Sequence, residues 1–96
     1  MQRDEIVSRL SKSGDLLARF GVNALHLFGS AARNEAREDS DIDLLVDFEQ
    51  PISLFHFVRL KHELEGVLGC PVDLVTRRAL KPQLRDRILR EAFRAA

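Results

Sequence analysis

The sequence is poor in the features that mark secreted or membrane proteins. Its single cysteine, Cys70, excludes an intrachain disulfide and a cysteine-based zinc site, and it fits a reducing cytoplasm. No charged-then-apolar leader opens the chain, and no apolar run approaches the roughly 18 residues that a membrane span needs. We therefore expect a cytoplasmic protein with no membrane as partner.

The sequence also lacks an excess of either charge. Its 15 basic residues balance 15 acidic ones, so it has no bulk positive field to attract a long nucleic acid, which we do not expect as a partner. Because it has 96 residues, 45% of them hydrophobic, we expect one domain over 1–96 and no second domain. A local basic excess near the C-terminus indicates a solvated helix face or, second, a surface for partner docking or phosphate steering. It consists of Arg77, Arg78, Lys81, Arg85, Arg87, Arg90 and Arg94.

Apolar periodicity divides the chain into four helical and three extended segments without an internal repeat. The predicted order is αβαβαβα. It comprises a first helix with an apolar stripe from Ile6 to Phe20, a strand over 22–28, a short helix capped by Ser30, a strand over 41–48, a helix from Ser53 to Gly69, a strand over 72–75 and a last helix from Pro82 to Ala92. This alternation predicts an α+β fold, an α/β sandwich in which helices pack against a small mixed sheet.

Two aspartates mark the second predicted strand. Side chains at i and i+2 of a strand point the same way, so Asp41 and Asp43 face one spot while the residues between them face the core. Such a pair at a strand end is by itself often a solvated edge. The strand is so apolar, however, that we expect it to be central, and a buried carboxylate pair without a cation would be costly. Hard oxygen ligands of this kind suit Mg²⁺.

A third carboxylate, Asp73, lies within the apolar strand over 72–75. Convergence of three carboxylates on one sheet face makes a two-metal site plausible. We assign Asp47 and Glu49 to the strand exit and solvent. Among the histidines, we expect His26 to be a hydrogen-bonded core or supporting residue, and His56 and His62 to lie on a helix surface; none is assigned a catalytic role.

A strand-to-helix turn at Gly29 and Ser30 precedes the aspartates by about ten residues. Glycine lets a phosphate approach the main chain, and free N–H groups at a helix start can bind it; a plain helix cap is the alternative. Arg33 could reach the same phosphate, or it could form a surface salt bridge to Glu35 or Asp39. Triphosphate and metal would then share one pocket.

Together these segments resemble the minimal nucleotidyltransferases of the DNA polymerase beta superfamily. The resemblance rests on three motifs, Gly29-Ser30-Ala31-Ala32-Arg33, Ser40-Asp41-Ile42-Asp43-Leu44-Leu45-Val46 and Val72-Asp73-Leu74-Val75, and on the last helix. It spans nearly the whole chain. Asn34 departs from the glycine that many members have there, but asparagine tolerates the same left-handed conformation.

The resemblance implies a Mg²⁺-dependent enzyme that transfers AMP from ATP. Asp41, Asp43 and Asp73 would be catalytic and hold two Mg²⁺ ions, and Gly29, Ser30 and Arg33 would bind the nucleotide. Members of this size are similar to antitoxins that work with a HEPN-type toxin, so the expected acceptor is a toxin hydroxyl, tyrosine first, within a hetero-oligomer. Two alternatives stay open: neutralisation of the toxin by binding alone, and transfer to an RNA end or a small molecule.

Overall fold

The computed structural model describes residues 1–37 and 40–96, which contain five α-helices, one 3-10 turn and four strands. In chain order they are α1 (Arg3–Ser11), α2 (Gly14–Arg19), β1 (Val22–Phe28), α3 (Gly29–Ala32), β2 (Ile42–Phe48), α4 (Leu54–Leu68), β3 (Val72–Val75), a 3-10 turn (Arg77–Ala79), α5 (Pro82–Glu91) and β4 (Phe93–Arg94). No helix in these two ranges is both long and apolar enough to cross a membrane.

The four strands form one mixed sheet in the order β3-β2-β1-β4. β2 pairs with β1 in the antiparallel sense and with β3 in the parallel sense, and β4 pairs antiparallel with the outer side of β1. The predicted α+β class with a mixed sheet is confirmed, and β2 is a central strand as expected. This order places the ends of β1, β2 and β3 side by side, which positions the candidate site.

The core lies between one face of the sheet and the long helices. The alternation of β2 turns Ile42, Leu44 and Val46 to this face, each at most 2% exposed. They pack with apolar residues that recur at helical spacing on α1 and α4: Ile6, Leu10, Leu60, Leu64 and Leu68. Leu45 points to the opposite face and is also fully buried. Both faces of β2 are therefore shielded in its middle, and only its ends are open.

The predicted first helix is two helices in the structure. The chain breaks after α1, where the Ser13 hydroxyl donates to the Arg9 carbonyl at 2.9 Å and the Ser11 hydroxyl donates to the Ser8 carbonyl at 3.0 Å. Serine hydroxyls compete with the backbone for these carbonyls, which favours a turn over a continued helix. The second helix ends before Gly21, whose φ of 70° matches the predicted terminus.

Other predicted boundaries are confirmed. The Ser53 hydroxyl accepts a hydrogen bond from the backbone of His56 at 3.1 Å, so it caps α4, and Gly69 ends that helix in a left-handed conformation. Pro82 occupies the first turn of α5. The last helix ends one residue before Ala92, however, and β4 follows it, with Phe93 opposite Leu27 of β1. The predicted order therefore lacked one edge strand.

Candidate active site

The sheet register brings the predicted carboxylates together at one end of the strands. Asp43 on β2 lies beside Asp73 on β3, its partner in the parallel register, and opposite Phe28 on β1. Asp41 precedes β2 and shares its face with Asp43. Gly29 follows Phe28 directly, so the loop motif starts at the same sheet end. Two motifs that are ten or more residues apart in the sequence thus adjoin in the fold.

The environment of Asp43 perturbs its ionisation. The pKa of Asp43 is raised from 3.8 to about 6, first because the group is partly buried, then through the charge of Asp73, its hydrogen bonding to Asp73 and the charge of Asp41. The positive charge of Arg33 acts weakly in the opposite direction. A raised carboxylate pKa at a point where like charges meet indicates a site that favours binding a proton or a cation.

The expectation of a buried carboxylate pair is wrong. Asp41 and Asp73 are exposed and Asp43 is half-buried. The reason is positional: the carboxylates occupy the starts of β2 and β3, where the sheet is open, and not their shielded middle. At this open sheet end, the partial burial of Asp43 and the like charges of Asp73 and Asp41 together disfavour its ionised form, which makes a cation favourable here.

The donor set at this end of the sheet fits Mg²⁺. In the described parts of the chain, no three histidine, cysteine or acidic side chains are already gathered as a metal cage. Mg²⁺ at nucleotide sites does not need such a cage, since it takes one or two carboxylates and completes its shell with water and phosphate oxygens. Asp41, Asp43 and Asp73 supply hard oxygen ligands that are open to solvent, as this coordination requires.

Gly29 brings the main chain against the carboxylate of Asp43. Its φ is 68°, in the left-handed region, and a Cβ added to it would overlap Oδ2 of Asp43. Any side chain here would therefore both strain the turn and displace the carboxylate. Of the site residues, this is the one whose identity the geometry explains most directly.

The alternative of Ser30 as a helix cap is wrong. α3 begins at Gly29, and the residue before it, Phe28, makes no side-chain capping bond. The Ser30 carbonyl accepts a hydrogen bond from the backbone of Glu35 at 2.8 Å, which closes the loop. Its hydroxyl is thus not used to cap α3, and the phosphate interpretation of this serine stays open.

Arg33 is held by two carboxylates. Its Nε donates to Glu35 at 3.2 Å and its Nη1 donates to Glu91 of α5 at 3.1 Å. The hydrogen bond to Glu35 is the main cause that raises the pKa of the Arg33 guanidinium. The predicted surface salt bridge to Glu35 is therefore present, and Asp39, the other predicted partner, lies outside the described residues. The link to Glu91 was not predicted.

The N-terminal helix braces the loop motif through contacts that were also missed. Asn34 has a φ of 61°, as the departure from glycine required, and its Oδ1 accepts from the backbone of Arg3 at 3.1 Å. The Arg3 guanidinium donates to the Ala32 carbonyl at 3.1 Å and lies 5.0 Å from the ring centre of Phe93. No local pattern signals these contacts, because the hydrogen bonds join residues 31 and 29 positions apart and Phe93 lies near the other end of the sequence.

A second polar cluster lies on β2 away from the site. Asp47 is not simply solvated as predicted: it accepts from Nε and Nη2 of Arg77 at 2.8 and 3.1 Å. Nδ1 of His26 lies 4.0 Å from Asp47 and has no hydrogen-bond partner in the described structure, so the predicted hydrogen-bonded role is not confirmed at that atom. Burial lowers the pKa of His26.

The two histidines of α4 differ in exposure. His56 is half-buried, with its Nε2 3.2 Å from the Phe20 carbonyl, whereas His62 is exposed as predicted.

A cavity of about 770 Å³ lies away from the carboxylates, none of which lines it. It is an open groove at the other ends of β2 and β3, lined by residues between Val46 and Phe57 and between Leu74 and Ala79. Its lining is mainly apolar and offers no cluster of metal ligands. The chemistry of the side chains, not the size of the cavity, therefore locates the candidate active site.

Comparison with known proteins shows the family of the chain. The family profile described as a nucleotidyltransferase domain matches residues 7–95. Protein adenylyltransferase MntA of Thermococcus cleftensis is 49% identical over 77 residues, which cover 80% of this chain and 78% of that protein. A provisionally assigned protein adenylyltransferase of Methanocaldococcus jannaschii is 53% identical over 77 residues, which cover 80% of this chain and 83% of that protein.

Solved structures share the fold. A provisionally assigned minimal nucleotidyltransferase superposes with a TM-score of 0.83 at 48% identity, over 97% of this chain and 95% of that one. A toxin–antitoxin complex with AMP-PNP superposes with a TM-score of 0.75 at 23% identity, over 94% of this chain and 72% of that one. A structure of a tri-AMPylated Shewanella oneidensis HEPN toxin in complex with MNT antitoxin superposes with a TM-score of 0.69 at 21% identity, over 99% of this chain and 72% of that one. The last two are similar in fold alone.

Proposed function

This chain belongs to the nucleotidyltransferase domain family, and from that premise we propose that it transfers AMP from ATP to a hydroxyl of a HEPN-type toxin. The membership confirms the family that the sequence motifs predicted, and the chain is a nucleotidyltransferase. The observation that carries the proposal is the meeting of Asp41, Asp43 and Asp73 with the Gly29 turn at one sheet end. We propose the whole chain, 1–96, as one catalytic domain that acts in the cytoplasm.

Each site residue has a role in this reaction. The Gly29 main chain and the Ser30 hydroxyl would hold the outer phosphates, with Arg33 as a further donor. Asp73 would accept the proton of the acceptor hydroxyl. That oxygen attacks the α-phosphorus in line, the bond to the bridging oxygen breaks, and pyrophosphate leaves. Two Mg²⁺ ions, held by Asp41, Asp43 and Asp73, would activate the hydroxyl and offset the charge on the phosphates.

The acceptor is the finer part of the proposal. Two relatives carry the name protein adenylyltransferase, one of them provisionally, and one structure of the same fold holds an AMPylated HEPN toxin beside an MNT antitoxin. We therefore propose a HEPN-type toxin as acceptor, tyrosine as the modified residue, and a hetero-oligomer as the working form.

We propose α5 as the helix that contacts the toxin. None of its residues is buried, and Leu84, a large apolar residue, is 46% exposed. Arg85, Arg87 and Arg90 are exposed on the same helix, as predicted for a solvated basic face. An apolar residue among exposed cations fits an acidic partner surface. Arg85→Glu should weaken toxin binding, whereas the same reversal at the exposed Arg59 of α4 should not; equal binding by both variants would contradict this contact.

The direct test measures the mass of the acceptor. The HEPN-type toxin from the same cells is incubated with this chain and Mg-ATP, and both chains are then weighed intact. We expect the toxin to gain whole AMP units with the wild-type chain and none with Asp43→Asn. An unmodified toxin after incubation with active wild-type chain would contradict the proposal.

Neutralisation by binding alone is the second candidate. It is favoured by the exposed surface of α5, which does not include the carboxylates and could bind a partner without chemistry. Growth rescue by Asp43→Asn separates the two candidates. Full rescue by this variant would assign the biological effect to binding, and loss of rescue with retained binding would assign it to AMP transfer.

A further inference from the structure

Glu91 joins the last helix to the loop that carries the nucleotide-binding motif. It is the last residue of α5, and its Oε2 accepts from Nη1 of Arg33 at 3.1 Å. Its Oε1 accepts from Nε of Arg87 at 3.4 Å. With Glu35 on the Nε of Arg33, these residues form an alternating row of charges, Arg87, Glu91, Arg33 and Glu35. The ion pair from Glu91 to Arg33 is the contact in this row that joins two distant segments of the chain.

The backbone on both sides of this ion pair is fixed by β1. The chain enters β4 two residues after Glu91, where Phe93 lies opposite Leu27 of β1. β1 continues from Leu27 to Phe28 and directly into Gly29, and Arg33 follows α3 on that side. β1 therefore anchors both the segment that leads to Arg33, the donor, and the segment that follows Glu91, the acceptor.

Within the described part of the chain, the contacts of Arg33 leave part of its guanidinium available. Nε and Nη1 are used by Glu35 and Glu91, while Nη2 has no hydrogen-bond partner in residues 1–37 and 40–96. An arginine held at two nitrogens loses less rotamer freedom when its third nitrogen binds a phosphate oxygen. The positive charge of Arg33 also acts on Asp43, so the guanidinium lies within electrostatic range of the carboxylates.

We infer that Glu91 is a positioning residue that holds Arg33 ready for the triphosphate of ATP. This inference rests on the proposed function and deepens it, because it places the end of the last helix in the nucleotide site. The alternative role for Glu91 is repulsion of the phosphates. In that case the carboxylate would weaken ATP binding, and removing it would make ATP bind more tightly. The two roles predict effects of opposite sign.

The test is a double-mutant cycle in which calorimetry measures the affinity of the full chain for Mg-ATP. Glu91→Gln removes the charge and keeps the shape, and we expect about a threefold to tenfold weaker ATP affinity. In an Arg33→Ala background, the same substitution should change the affinity little, since Glu91 acts through Arg33. Glu63→Gln, an exposed glutamate of α4, is the matched control and should leave ATP affinity unchanged. Thermal unfolding of each variant serves as the control for correct folding.

The outcomes separate the inference from the proposed function. Weaker binding by Glu91→Gln that disappears in the Arg33→Ala background supports the inference. Unchanged or tighter binding by Glu91→Gln, or an equal loss in both backgrounds, would overturn it while AMP transfer by wild type stands. Failure of the wild-type chain to bind Mg-ATP at all would overturn the proposed function and the inference together.

Discussion

Replacing Asp43 by asparagine should make the metal-free protein more stable at neutral pH. The pKa of this carboxyl is raised from 3.8 to about 6 by partial burial and by Asp73 and Asp41, so the ionised form is disfavoured in the fold. That increase corresponds to at most about 3 kcal/mol, and solvent screening at a half-exposed group reduces it to on the order of 1–2 kcal/mol. Asparagine keeps the shape and carries no charge.

The pH dependence has a definite sign. Between about pH 4 and 6 the folded chain holds a proton on Asp43 that the unfolded chain has lost, so wild-type stability falls as the pH rises through this window. Above that window the full destabilisation is present, and below pH 4 it is absent. The advantage of Asp43→Asn should therefore be large at pH 7.5 and small at pH 4.

Thermal unfolding followed by circular dichroism, with a chelator present, measures this difference. For a domain of this size we expect Asp43→Asn to raise Tm at pH 7.5 on the order of 5–10 °C. Asp86→Asn, an exposed aspartate of α5, is the matched control and should change stability by less than about 0.5 kcal/mol. An Asp43→Asn variant that is no more stable than wild type at pH 7.5, or equally stabilised at pH 4, would refute the reasoning.

Three further predictions concern the same end of the sheet. Mg²⁺ should raise the Tm of wild type but not of Asp43→Asn, and this rise should fade below about pH 6 as protons compete for the carboxylate; a metal effect of equal size in both proteins would contradict it. Gly29→Ala should lower stability by roughly 1–3 kcal/mol because φ is 68° and the added Cβ would overlap Asp43, with loss of AMP transfer. Gly66→Ala, in the middle of α4 with open space around it, should instead add about 0.5–1 kcal/mol in chemical unfolding, and two similar outcomes would refute the steric argument. Asn34→Gly keeps the φ of 61° available and should cost less than about 1 kcal/mol, whereas Asn34→Val should cost more, in the same assay.

The sequence was sufficient wherever the determining interactions are local. β1 and β3 have the predicted bounds and β2 starts one residue later than predicted, because an apolar residue at every second position is a short-range pattern. The cap at Ser53 and the terminus at Gly69 follow from side-chain and backbone chemistry within one turn. The grouping of Asp41 with Asp43 could also be predicted, since i and i+2 share a face in any strand.

Interactions between distant residues could not be predicted. β4 is only two residues long, and it forms because Phe93 and Arg94 pair with the outer edge of β1. No local sequence pattern predicts this pairing. The pair of Arg33 and Glu91 joins residues 58 positions apart. The exposure of Asp41 and Asp73 depends on where the strands start within the sheet, so the apolar character of the neighbouring residues was misleading about their burial.

The most direct test of AMP transfer follows the label of ATP into the toxin. ATP radiolabelled at the α-phosphorus is compared with ATP radiolabelled at the γ-phosphorus, using this chain, Mg²⁺ and the HEPN-type toxin. We predict that the toxin acquires the α label and none of the γ label, that the γ label leaves in pyrophosphate, and that Asp43→Asn transfers neither. Transfer of the γ label to the toxin, or retention of both labels in free ATP, would contradict the function proposed for this chain.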